Sequence, residues 1–283
     1  MFELIRGRLT LNNRVMAASG TFGYGTEFAA KSDPSDIGAI VCKGITVKPR
    51  AGNPPPRIVE TPAGALNAIG LANIGMDAAI REKAPLWANM PVPVIVNING
   101  ETIDEFVKLA QGFDDVAGVA GIELNISCPN VKHGGMAFGI DPDAAAGVTK
   151  AVREATTLPL IVKLTPNAQD IPAVAKAVIA AGAEALTVAN TYLAISIDAK
   201  RGEPALANVT GGLSGPAIKP LTLRLVYEVS RAVDVPVIGC GGIMNAEDAQ
   251  EYLIAGAKAV QVGTATLVDP FAVPRIGRKL VKS

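Results

Sequence analysis

Apolar positions in this chain cluster into short, nearly unbroken runs rather than alternating ones. Such runs predict strands buried on both faces. Three of them follow a proline, at residues 93–97, 159–163 and 236–241. Four follow a glycine-led step, at residues 38–43, 121–125, 182–190 and 256–263, and one more opens the set at residues 15–19. Helical spacing separates them. Phe106, Leu109, Ala110, Phe113 and Ala117 share one face, as do Ile171, Val174, Ala175 and Val178, with Gly182 at a C′ position. Asn245, ahead of Glu247 and Asp248, reads as an N-cap followed by an acidic first turn.

Eight strands alternating with helices in a chain of this length predict an α/β fold, a single (β/α)8 TIM barrel spanning residues 1–283. A doubly wound open sheet is the competing form, but no G-x-G-x-x-G follows any strand. Two connections, residues 44–91 and 191–216, are too long for plain loops and predict small hairpins or lids at the C-terminal mouth of the barrel. The Gly-rich residues 131–136 read as a further lid.

With 49% apolar and 18% charged residues, the chain can bury a large core and is not disordered. The 26 basic and 26 acidic residues balance, so no basic excess draws it to nucleic acid or an anionic membrane. No apolar run spans a bilayer, and the first seven residues lack a signal-peptide core. Three dispersed cysteines, Cys42, Cys128 and Cys240, form no disulfide framework and are too few for a cysteine-ligated iron–sulfur cluster. The expectation is a cytoplasmic protein with free thiols and no metal site.

The strand ends carry the candidate chemistry. They are Ser19, Lys43, Asn97, Asn125, Lys163, Asn190, Gly241 and Gly263, and in a barrel they converge on the face where active sites sit. Solvation explains any one polar strand end; two lysines and three asparagines on one rim point to a ligand. Gly241-Gly242-Ile243 after strand seven and Gly263-Thr264 after strand eight suggest a phosphate site. The fourth strand runs into Asn125-Ile126-Ser127-Cys128-Pro129-Asn130, which delivers amides and a thiol to the mouth.

With these segments placed, the chain resembles class 1 dihydroorotate dehydrogenases over nearly its full length. The resemblance is carried by residues 18–23, 43–46, 67–71, 125–130, 189–191, 211–215, 241–243 and 263–264. Residues 43–46, 130–139 and 206–216 are similar to the class 1B, NAD-linked catalytic subunit. One departure is Tyr192-Leu193-Ala194-Ile195-Ser196-Ile197-Asp198, where the family pattern has Gly-Met-Ala after the leucine.

The resemblance implies oxidation of dihydroorotate to orotate in de novo pyrimidine (UMP) biosynthesis, with one FMN per chain. Cys128 is then the base that takes the C5 proton. A free thiol titrates at roughly pH 8.5, so activity should rise on the alkaline side of neutral. Substrate falls to Lys43, Asn67, Ala68, Ile69, Gly70, Leu71, Asn125, Asn190 and Thr191. FMN falls to Ser19, Lys43, Gly44, Asn97, Asn125, Lys163, Ala189, Gly215, Gly241, Gly242, Gly263 and Thr264. His133, the single histidine, is expected on the solvated lid, and Cys42 and Cys240 as buried structural thiols.

Class 1B also implies a partner subunit carrying FAD and a 2Fe–2S cluster that passes electrons to NAD⁺, with a catalytic-subunit homodimer inside a heterotetramer. Rival readings are a fumarate-linked class 1A enzyme, a flavin-dependent dihydropyrimidine dehydrogenase, and a non-catalytic barrel that only binds a phosphorylated ligand or a partner.

Overall fold

The structure, a computed structural model, describes residues 1–29, 36–127 and 136–281. Eight parallel strands close into a barrel: Val15–Ala17, Ile40–Val41, Val94–Ile98, Val119–Asn125, Leu160–Lys163, Ala185–Val188, Val237–Cys240 and Ala259–Val262. Each pairs with its neighbours in sequence, and the eighth closes on the first through Val260–Val15, Gln261–Met16 and Val262–Ala17. All eight runs anticipated from the sequence are therefore barrel strands. They are called first to eighth below.

Side chains alternate across each strand, and the two faces go to different places. Val94, Val96 and Ile98 join Ile122, Leu124, Leu160, Val162, Leu186 and Val188 in the large core that the outer helices cover. The intervening positions at the base of the barrel, Met16, Val41, Ile95, Ile161, Ala185, Ile238 and Ala259, form a separate apolar plug. An antiparallel hairpin, Phe2–Ile5 with Leu9–Leu11, adds Leu4, Ile5, Leu9 and Leu11 to that plug. Two residues further along the same strands, the sequence becomes polar: Lys43, Asn97, Glu123, Lys163, Thr187, Cys240 and Gln261. The barrel is thus apolar at its base and polar at its mouth.

The helices begin as their sequences suggest. Thr102, Asp141, Asp170 and Asn245 each accept a backbone N–H three residues on, capping helices Ile103–Asp114, Pro142–Ala155, Ile171–Ala180 and Ala246–Ile254. Helix Ile103–Asp114 buries Phe106, Leu109, Ala110 and Phe113, but Ala117 lies past its end, where the chain turns into the fourth strand. Among the described residues no helix is long and apolar enough to cross a membrane.

Each long connection carries a hairpin, as expected: Ile58–Thr61 with Gly64–Asn67 in the first, and Ile197–Asp198 with Glu203–Pro204 in the second. The two connections also meet in one four-stranded antiparallel sheet, Tyr192–Ile195, Thr210–Ser214, Gly64–Asn67 and Ile58–Thr61, in that order. Asn67 is in register with Gly212 and Leu66 with Leu213. Leu66, Ala68 and Leu206 form a small core of their own beneath it. This sheet walls one side of the barrel mouth.

Candidate active site

One cavity at the mouth collects residues from all eight strand ends and from the small sheet. Ser19, Lys43, Gly44, Asn97, Asn125, Lys163, Ala189, Asn190, Thr191, Gly241, Gly242, Gly263 and Thr264 line it, as do Asn67, Ile69 and Leu71 from the first insertion. Three residues expected at the ligand lie off the lining. Ala68 is buried in the small-sheet core, Gly70 turns over Asn53, and Gly215 packs behind Gly242. Cys128, Pro129, Asn130 and the lid with Lys132 and His133 lie outside the described residues.

The amides are wired into a chain. Asn97 Oδ1 accepts from Asn99 Nδ2 at 2.8 Å and from Asn125 Nδ2 at 3.3 Å. Asn125 Oδ1 accepts from the Ser127 hydroxyl at 2.7 Å, and Asn190 Nδ2 donates to that hydroxyl at 2.9 Å. Asn190 Oδ1 in turn accepts from the Thr191 backbone N–H at 2.8 Å. Fixed amides of this kind present donors and acceptors in set directions, which suits a flat heterocycle with alternating N–H and C=O groups.

Lys163, 5% exposed, is the cation at the cavity floor. Burial, the largest influence, favours loss of its proton. The charge of Glu123 and its hydrogen bond, joined by Cys240 only at alkaline pH where that thiol ionises, outweigh it, and the pKa is raised. Cys42 is fully buried, as expected of a structural thiol, and its pKa is pushed up to about 12, chiefly by burial. Cys240 departs from that expectation: it is only partly covered and lines the cavity beside Lys163. Burial raises its pKa, the Lys163 charge lowers it and Glu123 raises it, with a net rise.

The glycines after strand seven are shaped by close approach. Gly242 has φ +69°, and a Cβ there would sit 2.7 Å from Lys219 Cβ, 2.8 Å from Lys219 N and 2.9 Å from the Gly215 carbonyl oxygen. Only glycine leaves backbone exposed at this point of the cavity. Two further lining residues, Thr21 and Asn99, each hold a buried polar atom (Oγ1 and Oδ1) with no hydrogen-bond partner among the described residues. Buried polar atoms usually find a partner, so both are suited to a bound polar ligand.

Sequence reasoning missed Glu123, Thr187 and Gln261, which sit directly beneath the cavity amides, and passed over Thr21 and Asn99. Their signal was available: a charged or amide residue inside an otherwise apolar strand is costly without a purpose.

A family model described as dihydroorotate dehydrogenase matches residues 5–283. A Geobacter sp. (strain M21) protein named dihydroorotate dehydrogenase B (NAD(+)), catalytic subunit, is 57% identical over 272 residues, covering 96% of this chain and 89% of that one. A Trichlorobacter lovleyi protein of the same name is 58% identical over 270 residues, with 95% and 89% covered. A solved DHODH from Eimeria tenella in complex with ferulenol shares the fold at TM-score 0.78 and 22% identity, over all of this chain and 86% of that one. By its sequence over nearly its whole length, and by a polar-mouthed barrel that accommodates every shared segment the structure describes, the chain belongs to the dihydroorotate dehydrogenase family.

Proposed function

We propose that this chain is the FMN-binding catalytic subunit of an NAD-linked dihydroorotate dehydrogenase, oxidising dihydroorotate to orotate in pyrimidine biosynthesis. The observation that carries the reading is the single cavity in which Lys43, Asn67, Asn125, Asn190 and Thr191 face the same space as Lys163, Gly242 and Thr264. The shared name of the 57–58% identical relatives supports the same activity.

The residues present suit FMN. The Gly242 cradle offers backbone to a phosphate, and Lys163 supplies a buried positive charge for an electron-rich ring edge. Ser19, Gly44, Asn97, Ala189, Gly241 and Gly263 complete that side of the lining. Bound FMN supplies the acceptor for the hydride that leaves substrate C6.

This chain's side chains do the rest. Lys43 pairs with the orotate carboxylate, and the Asn67, Asn125 and Asn190 amides read the ring edge. Cys128 is the base that accepts the C5 proton, so one proton and one hydride leave the substrate as the C5–C6 double bond forms. Ser127, immediately before it in sequence, is fully buried and tied to Asn125 and Asn190. A partner subunit with FAD and a 2Fe–2S cluster carries the electrons on to NAD⁺, in a cytoplasmic heterotetramer built on a catalytic-subunit dimer.

The test is the visible spectrum of the purified chain before and after anaerobic addition of dihydroorotate. Bleaching of a flavin band supports the reading, and a colourless protein overturns it. Cys128→Ala should keep the flavin and lose turnover; an active variant removes Cys128 from the role of base. Efficient NAD⁺ reduction by the chain alone would refute the partner, and fumarate-driven turnover would favour the class 1A reading.

A further inference from the structure

The polar layer beneath the cavity is organised around one carboxylate. Glu123 is fully buried in the fourth strand. Its Oε1 accepts from Asn97 Nδ2 at 2.7 Å and lies 3.8 Å from Lys163 Nζ. Its Oε2 accepts from Gln261 Nε2 at 2.6 Å and from Thr187 Oγ1 at 2.8 Å. These partners come from the third, fifth, eighth and sixth strands. Gln261 bridges the arrangement, because its Oε1 accepts from Lys163 Nζ at 3.4 Å while its Nε2 donates to Glu123. That amide orientation is the one a carboxylate on one side and an ammonium on the other require.

Two of the four partners, Asn97 and Lys163, line the cavity, whereas Glu123, Thr187 and Gln261 do not. The carboxylate therefore acts from behind. We propose that Glu123 is a positioning residue for the cofactor face of the site: it keeps Lys163 an ammonium, aims it into the cavity, and fixes the amide of Asn97. It supports this by supplying the counter-charge without which a buried lysine gives up its proton. The other titratable groups around this pair are Cys42, which feels the Glu123 charge, and Cys240, which feels both. Both thiols have raised pKa values, so neither supplies a counter-charge near neutral pH. With Glu123 also holding the Asn97 donor, the Asn97 oxygen is left for Asn99 and Asn125. One buried charge thereby sets the direction of the whole amide chain above it.

The inference rests on the reading that FMN occupies this cavity, and the experiment separates the two. FMN is titrated into apoprotein, following quenching of its fluorescence, from about pH 7 to pH 10, where an uncompensated buried lysine titrates. Wild type should bind FMN with a Kd flat across that range; failure of wild type to bind overturns the FMN reading itself. Glu123→Gln should bind more weakly toward alkaline pH, by about ten-fold for each unit by which the Lys163 pKa has fallen into the range. Lys163→Met should bind weakly with a flat profile, and the Glu123→Gln/Lys163→Met double variant should also be flat. A Glu123→Gln profile that superposes on wild type overturns the proposal, as does a double variant that retains the alkaline loss. Should Glu123→Gln fail to fold, Glu123→Asp keeps the charge one methylene farther from Lys163. It should show a smaller alkaline loss, and a profile identical to wild type in that variant would again overturn the proposal.

Discussion

Gly242→Ala isolates the loop after the seventh strand. At φ +69° an alanine occupies the left-handed region, at about 1–2 kcal/mol. Its Cβ also meets the Lys219 backbone nitrogen at 2.8 Å and the Gly215 oxygen at 2.9 Å, both inside contact distance. Backbone atoms cannot swing aside as a side-chain tip can. Lys219 is further pinned through its Nζ by Asp248 at 2.5 Å and Glu251 at 2.8 Å. Overpacking of this kind adds about 1–3 kcal/mol. Together the substitution should cost about 3 kcal/mol, or roughly 5–10 °C in Tm for a chain of this size. Gly263→Ala is the matched control. Its Cβ would lie 3.5 Å from Ala18 Cβ, an ordinary contact, with φ outside the left-handed region. It should melt within about 0.5 kcal/mol of wild type. Differential scanning calorimetry, run with and without added FMN, measures both. If Gly242→Ala melted with wild type and gained the same stabilisation from FMN, the cradle assigned to this loop would be wrong.

Cys42 gives stability a defined alkaline dependence. An unfolded thiol ionises near 9.0, whereas burial holds the folded one protonated to about 12. Between those values the unfolded chain binds fewer protons, so stability falls as pH rises, at up to about 1.4 kcal/mol per pH unit. Cys42→Ala should show a shallower fall of Tm above pH 9 than wild type; Tyr24 and Cys240, also raised, keep it from vanishing. Asn245→Ala removes the side-chain oxygen that accepts the Asp248 N–H at 2.8 Å and should cost about 1 kcal/mol in urea unfolding with an unchanged m value. Trp87, the single tryptophan, is buried and donates from Nε1 to the Tyr24 carbonyl at 2.9 Å. Trp87→Phe strands that carbonyl and opens space beside it, so its urea midpoint should fall by the equivalent of about 2–3 kcal/mol.

Local pattern carried much of this molecule. The unbroken Val and Ile runs mark strands covered on both faces, because only a barrel or doubly wound sheet hides both sides of a strand. The polar residues at their ends mark the mouth, and sixteen residues expected at the ligand line the cavity there. Asn245 declares its helix start through side-chain chemistry alone. These features depend on neighbours a few positions away, which is the range over which side-chain alternation and capping act.

Closure of the barrel decided the rest. Asn67 and Gly212 pair across two insertions separated by the greater part of the barrel, and nothing near either residue names the other. Glu123 is a lone charge in the otherwise apolar body of the fourth strand. Its purpose emerges only when the third, fifth, sixth and eighth strands bring Asn97, Lys163, Thr187 and Gln261 around it. Cys240 was expected to be structural like Cys42, yet strand register turns it toward the cavity and leaves Cys42 in the surrounding core. The amino-acid order by itself determined which segments are strands, which ends are polar and which family they resemble. Which inward-facing groups share one layer was decided by the register of a closed sheet, a long-range condition that no local pattern encodes.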